Sequence, residues 1–136
     1  MNLKVVLDTN IFISGIHWNG PSYKILQAWF EDRCEFICST EILEEIVKTL
    51  KEFKVPLSKE EINWWENLIL EKSTIVNPSE KIDIVKDQDD NKFIEAAIEG
   101  KASYIISQDK HLLVIKEYRG IKIVTPEDYL KLTSNN

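Results

Sequence analysis

The chain has 136 residues, 43% hydrophobic and 29% charged, the composition of one soluble globular domain (1–136) rather than a tail, a linker or a fibre. Its two cysteines, Cys34 and Cys38, are too few for a disulfide framework and read as core thiols, and no apolar run approaches the ~20 residues of a membrane span. Seventeen basic against 23 acidic residues leave a net charge of −6, the wrong sign for a protein that grips nucleic acid electrostatically unless several acids are gathered where a cation neutralises them.

Leu3 to Leu7 form a β-rich run that reads as a buried strand ending at Asp8. Met1 to Lys4 lead straight into it with no signal-peptide pattern, so a cytoplasmic location is expected. Asp8-Thr9-Asn10 opens a short helix through Ile11-Phe12-Ile13, which stops at Gly15. Trp18-Asn19-Gly20-Pro21 is turn chemistry, and Ser22 is placed to cap a helix ending near Arg33. Glu35 to Cys38 is a second strand. Ser39 or Thr40 caps the next helix, whose stripe is Ile42, Leu43, Ile46, Val47 and Leu50 and which Pro56 closes.

A helix from Ser58 to about Lys72 carries Ile62, Trp65, Leu68 and Ile69 inward, with Trp64 left for a subunit or partner surface. A strand at Thr74-Ile75-Val76 follows, then the acidic stretch Asp83 to Asp90 and a helix that ends at Gly100. Tyr104 to Ser107 and Ile121 to Val124 are the last two strands, and Pro126 starts a final short helix. Strands alternating with helices, none close enough for a hairpin, predict an α/β three-layer sandwich around a parallel sheet of about five strands.

In such sheets ligands sit beyond the carboxyl ends of the strands. Asp8 ends the first strand, Asp109 lies just beyond the fourth, Asp90 opens a helix, and an acid in the helix after the second strand completes the set. Glu44 and Glu45 lie equally far from that helix's apolar stripe, so periodicity does not choose between them. Four carboxylates on one rim raise one another's pKa, and a hard divalent ion held by oxygen ligands resolves the conflict. Each acid also has an ordinary reading: Asp89 or Asp90 as a helix cap, Asp109 as a loop acid, the glutamate as a solvated helix residue. Asp8 is hardest to dismiss, because an acid closing a run of buried aliphatics seldom serves packing.

Val5-Val6-Leu7-Asp8-Thr9-Asn10, Ser39-Thr40-Glu41-Ile42-Leu43-Glu44-Glu45, Asp87 to Ala97 and Ile106-Ser107-Gln108-Asp109-Lys110 together resemble the motifs of the PIN domain. The likeness is closest to the branch described as the toxin of toxin-antitoxin pairs, and it runs through Ile123 to Glu127. It implies a PIN-like fold and a ribonuclease with a Mg²⁺ or Mn²⁺ site of Asp8, Glu45, Asp90 and Asp109, choosing Glu45 over Glu44. It also implies RNA as substrate, 5′-phosphate and 3′-hydroxyl ends, an antitoxin partner and a homodimer. Thr9, Asn10 and Ser107 are expected to orient the carboxylates. Lys92, Lys110 and Lys116 are candidates for the RNA backbone, though for each taken singly a solvated lysine is the stronger reading.

Two departures stand out: Gln108 where a Gly is common, and His111 where an acid often stands. A haloacid-dehalogenase-like phosphatase needs a second Asp two residues after the first, and this chain has Asn10. A response-regulator receiver needs a phosphoacceptor Asp after the third strand, where Asn77-Pro78 lies. The remaining rival is a PIN-like RNA-binding or protein-interaction module with little nuclease activity.

Overall fold

The computed structural model describes residues 2–134. Six strands, β1 (Leu3–Leu7), β2 (Cys34–Ser39), β3 (Thr74–Val76), β4 (Tyr104–Ile106), β5 (Glu117–Tyr118) and β6 (Ile121–Val124), form one sheet in the order β3-β2-β1-β4-β6-β5. Helices α1 (Thr9–His17), α2 (Pro21–Phe30), α3 (Thr40–Glu52), α4 (Lys59–Lys72), α5 (Asn91–Glu99), α6 (Lys110–Leu113) and α7 (Pro126–Thr133) flank it, with one 3₁₀ turn at Gln88–Asp90. Every pairing from β3 across to β6 is parallel, as expected for an α/β sandwich.

The sheet has one strand more than the five expected, and it enters by a hairpin. Arg119 (φ 50°) and Gly120 (φ 83°) both occupy the left-handed region, the geometry of a two-residue turn, and they fold β5 back antiparallel onto β6. Arginine at the first left-handed position hides that turn from a reading that looks for Asn-Gly or Asp-Gly. The expected cap of α2 also shifts: Gly20 is the N-cap, Pro21 supplies the first helical residue with its φ already set, and Ser22 is buried inside the first turn.

Val5, Val6 and Leu7 are all buried in succession, so β1 is covered on both faces. Phe12 of α1 stacks on Phe36 of β2 at 5.8 Å and meets the edges of Trp29 and Trp65, which joins three helices to the sheet in one aromatic cluster. Cys34 and Cys38 are free and buried, as expected of core thiols, and burial pushes the Cys38 thiol up to about 12.

The order β2-β1-β4 puts the second strand on one side of β1 and the fourth on the other. The winding reverses there, so the loops leaving β1 and β4 splay apart and open a crevice at their carboxyl ends. Leu7 is in register with Ile106, and the Asp8 N–H donates to the Ile106 carbonyl at 3.0 Å, which seats Asp8 beside Ser107.

Gly15 lets α1 close on α2: a Cβ there would stand 2.7 Å from Leu26 Cδ1 and 3.0 Å from the Ser22 carbonyl oxygen. Leu26 is itself buried and has little room to retreat. Gly15→Ala is therefore expected to cost about 1–3 kcal/mol by overpacking, measured by urea unfolding. An unchanged midpoint would mean that α1 and α2 separate freely.

Candidate active site

The carboxyl end of the sheet opens into a cavity of about 760 Å³ whose wall includes Asp8, Glu45, Asp90 and Asp109, so all four expected acids reach one space. Glu44 also reaches the wall but is exposed; Glu45 is half-buried and bonded on both carboxylate oxygens.

Asp8 is 6% exposed and caps α1, with Oδ1 accepting from the Asn10 N–H at 3.1 Å and Oδ2 from the Ser107 hydroxyl at 2.7 Å. Ser107 Oγ in turn accepts from the Asp109 N–H at 2.9 Å, so one hydroxyl ties the two strand-end acids together. Asp109 caps the short α6, accepting from the His111 N–H at 2.7 Å. Thr9 is buried and donates to Glu45 Oε1. Of the three expected orienting residues, Thr9 and Ser107 act through their side chains, whereas Asn10 lines the cavity and bonds Asp8 through its backbone N–H.

Asp90 is the N-cap of α5 yet makes no capping hydrogen bond, because the preceding 3₁₀ turn is capped by Asp87, whose Oδ1 accepts from the Asp89 N–H at 3.2 Å. The ordinary capping reading therefore falls to Asp87. Asp90 Oδ2 is buried without a hydrogen-bond partner. Burial first, and then repulsion from Asp8, Asp109 and Asp87, pushes its carboxyl up to about 7. Burial likewise raises Asp8 against the hydrogen bonds from Ser107 and Asn10, with Asp109 and Glu45 adding to the rise.

Lys92 corrects the sequence reading. Rather than meeting solvent or a strand of RNA, it is 4% exposed and its Nζ donates to Glu45 Oε2 at 2.5 Å, Asp89 Oδ2 at 3.0 Å and the Asp89 carbonyl at 3.0 Å. Three acceptors saturate the ammonium. Burial depresses the Lys92 pKa, but the bonds to Glu45 and Asp89 more than reverse that, and they hold Asp89 below its usual value. The four acids are thus unequal: Glu45 already has a lysine counter-ion, Asp109 has the His111 ring nitrogen 3.7 Å from Oδ1, and Asp8 and Asp90 have no basic partner among the described residues.

An all-oxygen set suits a hard divalent ion, and a buried, unpartnered carboxylate oxygen is the feature such an ion satisfies. Among the described residues no three Asp, Glu, His or Cys side chains stand together so that they could hold a metal ion. By donor chemistry alone, Asp8, Asp90 and Asp109 are the carboxylates suited to such an ion.

The PIN domain family model matches residues 4–111. The chain belongs to the PIN domain family. It is 36% identical over 147 aligned positions to the uncharacterized protein MJ1680 of Methanocaldococcus jannaschii, covering 96% of this chain and 92% of that one. Its fold is shared with a chain of VapBC2 from Rickettsia felis, solved bound to a DNA fragment from their promoter, at a TM-score of 0.59 and 17% identity over 89% of this PIN domain and 97% of the other chain.

Two outcomes follow from the charge pattern. A carboxyl whose folded pKa lies above its unfolded value of 3.8 keeps a proton that the unfolded chain releases, so stability falls as pH rises through that interval. In EDTA the melting temperature should drop as pH rises from about 5 to about 8, and Asp90→Asn should flatten the slope. An identical slope in the variant would place the titrating group elsewhere.

Lys92→Met should cost about 2 kcal/mol, less than a fully buried pair because Glu45 keeps a 28% exposed side chain, and adding Glu45→Gln should return part of it. Urea unfolding of the two variants reads the coupling. Additive losses would show that the two side chains act independently.

Proposed function

We propose that this PIN-domain protein is a divalent-metal-dependent endoribonuclease that hydrolyses RNA phosphodiester bonds as the toxin of a toxin-antitoxin pair. The observation that carries the reading is Asp90: it forgoes the cap its position offers and sits with a buried, unpartnered oxygen in a cavity shared with Asp8 and Asp109. A role confined to stability would use that side chain as a cap.

In this reading Asp8, Asp90 and Asp109 hold the ion and Glu45 closes the wall. Bound there, Mg²⁺ or Mn²⁺ supplies a water of lowered pKa and neutralises charge building on a phosphodiester. Ser107 keeps Asp8 and the start of α6 at a fixed separation through its two hydrogen bonds. Thr9 and Lys92 fix the Glu45 carboxylate from opposite oxygens, so it needs no reorganisation when a substrate phosphate enters. With its carboxyl pushed up to about 7, Asp90 is partly protonated near neutral pH, and a cation held in the cavity would favour its ionised form. No side-chain nucleophile is required.

The same reading brings an antitoxin and a second copy of the chain as partners, tested by co-expression with the neighbouring reading frame and by light scattering. Its decisive test is cleavage of single-stranded RNA with Mg²⁺ or Mn²⁺ and in EDTA. Cleavage should require the metal, and Asp8→Asn, which keeps size and hydrogen bonding, should slow it by about a hundredfold or more. Equal cleavage in excess EDTA would end the metal mechanism. No cleavage of any RNA in either metal would favour the RNA-binding or interaction-module alternative.

A further inference from the structure

Beside the acidic cavity lies a second one of about 310 Å³, and Asn10 lines both. Its wall runs along one face of α1 through Asn10, Ser14 and the C-cap residue Trp18, spaced four residues apart, and is completed by Pro21, Gln108 and Glu127. We propose that this cavity is a nucleobase subsite, which takes an unpaired base flanking the phosphodiester held at Asp8, Asp90 and Asp109; it rests on the ribonuclease reading only for the identity of that strand.

Trp18 is 57% exposed, matched among the tryptophans only by Trp64 at 56% among the described residues, and of the two it is Trp18 that lines a cavity adjoining the acidic one. Its backbone is held, since the Trp18 N–H donates to the Ser14 carbonyl at 2.9 Å, and the His17 ring tilts against the indole at 6.4 Å between centroids. The indole is therefore positioned while much of it stays open, which is the arrangement of a stacking platform. Eight residues of helix separate it from Asn10, about 12 Å along the axis, within the reach of one or two nucleotides of extended strand.

The opposite wall is polar and also held in place. Gln108 Nε2 donates to Glu127 Oε1 at 3.1 Å, which fixes the carboxamide and leaves its oxygen and a second N–H available for a base edge. A glycine at position 108 would leave this wall without a side chain. The Glu127 carboxylate disfavours a phosphate here, so the part of a strand that enters is the flat, uncharged base. The volume lies at the lower limit of small-ligand cavities, enough for a base.

The test compares a short single-stranded RNA of mixed sequence with the same strand carrying abasic nucleotides, each fluorescein-labelled and titrated in Ca²⁺ by anisotropy, against wild type, Trp18→Ala, Trp18→Phe and Gln108→Gly. Trp18→Ala should weaken the intact strand by about tenfold and leave the abasic strand unchanged, while Trp18→Phe keeps most of the affinity. Gln108→Gly should weaken the intact strand and spare the abasic one. Melting temperatures close to wild type, as expected for an exposed ring, show that the variants are folded. Equal losses on intact and abasic strands, or no loss, would overturn the subsite, as would a wild type that binds neither strand. A Trp18→Ala variant that binds RNA normally but loses a protein partner would assign the cavity to that partner and overturn the proposal. Binding that follows the expected pattern without cleavage in Mg²⁺ or Mn²⁺ would leave the subsite standing and remove the ribonuclease reading; metal-dependent cleavage with no response to Trp18 would do the reverse.

Discussion

Burying a carboxylate at the end of a central strand is the constraint around which the rest of the molecule is arranged. Asp8 follows three buried aliphatics and is almost as enclosed as they are, so it keeps its charge only with help from its neighbours. The parallel register of β1 with β4 provides the first help, by bringing the Ser107 hydroxyl to Oδ2. The first turn of α1 provides the second, through the Asn10 N–H. These two bonds do not offset burial, since the Asp8 pKa stays raised. Every further acid at the rim adds to a deficit that the strand end already carries.

The chain divides its acids between two ways of meeting that deficit. Glu45 and Asp89 share the buried ammonium of Lys92, which ties α3 to the start of α5 and fixes one wall of the cavity. Asp8, Asp90 and Asp109 are arranged around Ser107 and the α5 N-terminus with no lysine or arginine of their own among the described residues, and only the His111 ring near Asp109. A lysine reaching the triad as well would neutralise it permanently and leave nothing for a metal to do. Placing the single buried ammonium on Glu45 keeps one carboxylate rigid and ionised while the others remain responsive.

Much of this was legible in the sequence because it depends on local pattern. The run Val5-Val6-Leu7-Asp8 announces a strand closed by an acid, and the stripe from Ile42 to Leu50 places a glutamate beside the sheet's end. What was not legible depends on contacts between distant segments. Lys92 looks like any helix-start lysine until Glu45, 47 residues earlier, meets it. Asp89 and Asp90 read as the cap candidates, and the 3₁₀ turn that gives the task to Asp87 is not visible in the sequence. The β5-β6 hairpin escaped because Arg119 takes a left-handed conformation that its residue type does not advertise. The α2 cap failed for a local reason: Pro21 at the first helical position outweighs Ser22.

The same division resolves the sign of the net charge. Nine of the 23 acids line the main cavity, from Asp8 to Asp109, together with only Lys48 and Lys92 of the 17 basic residues. Outside it, 14 acids face 15 bases, so the remainder of the chain is close to neutral. A polyanion approaching this protein therefore meets one concentrated negative well rather than an acidic surface. With Lys92 committed to Glu45 and Asp89, Lys48 is the one exposed ammonium on that wall. Under the proposed function, attraction for a phosphate at the well would come from a bound cation, and affinity elsewhere from contacts that do not depend on charge, such as an aromatic face set beside the cavity.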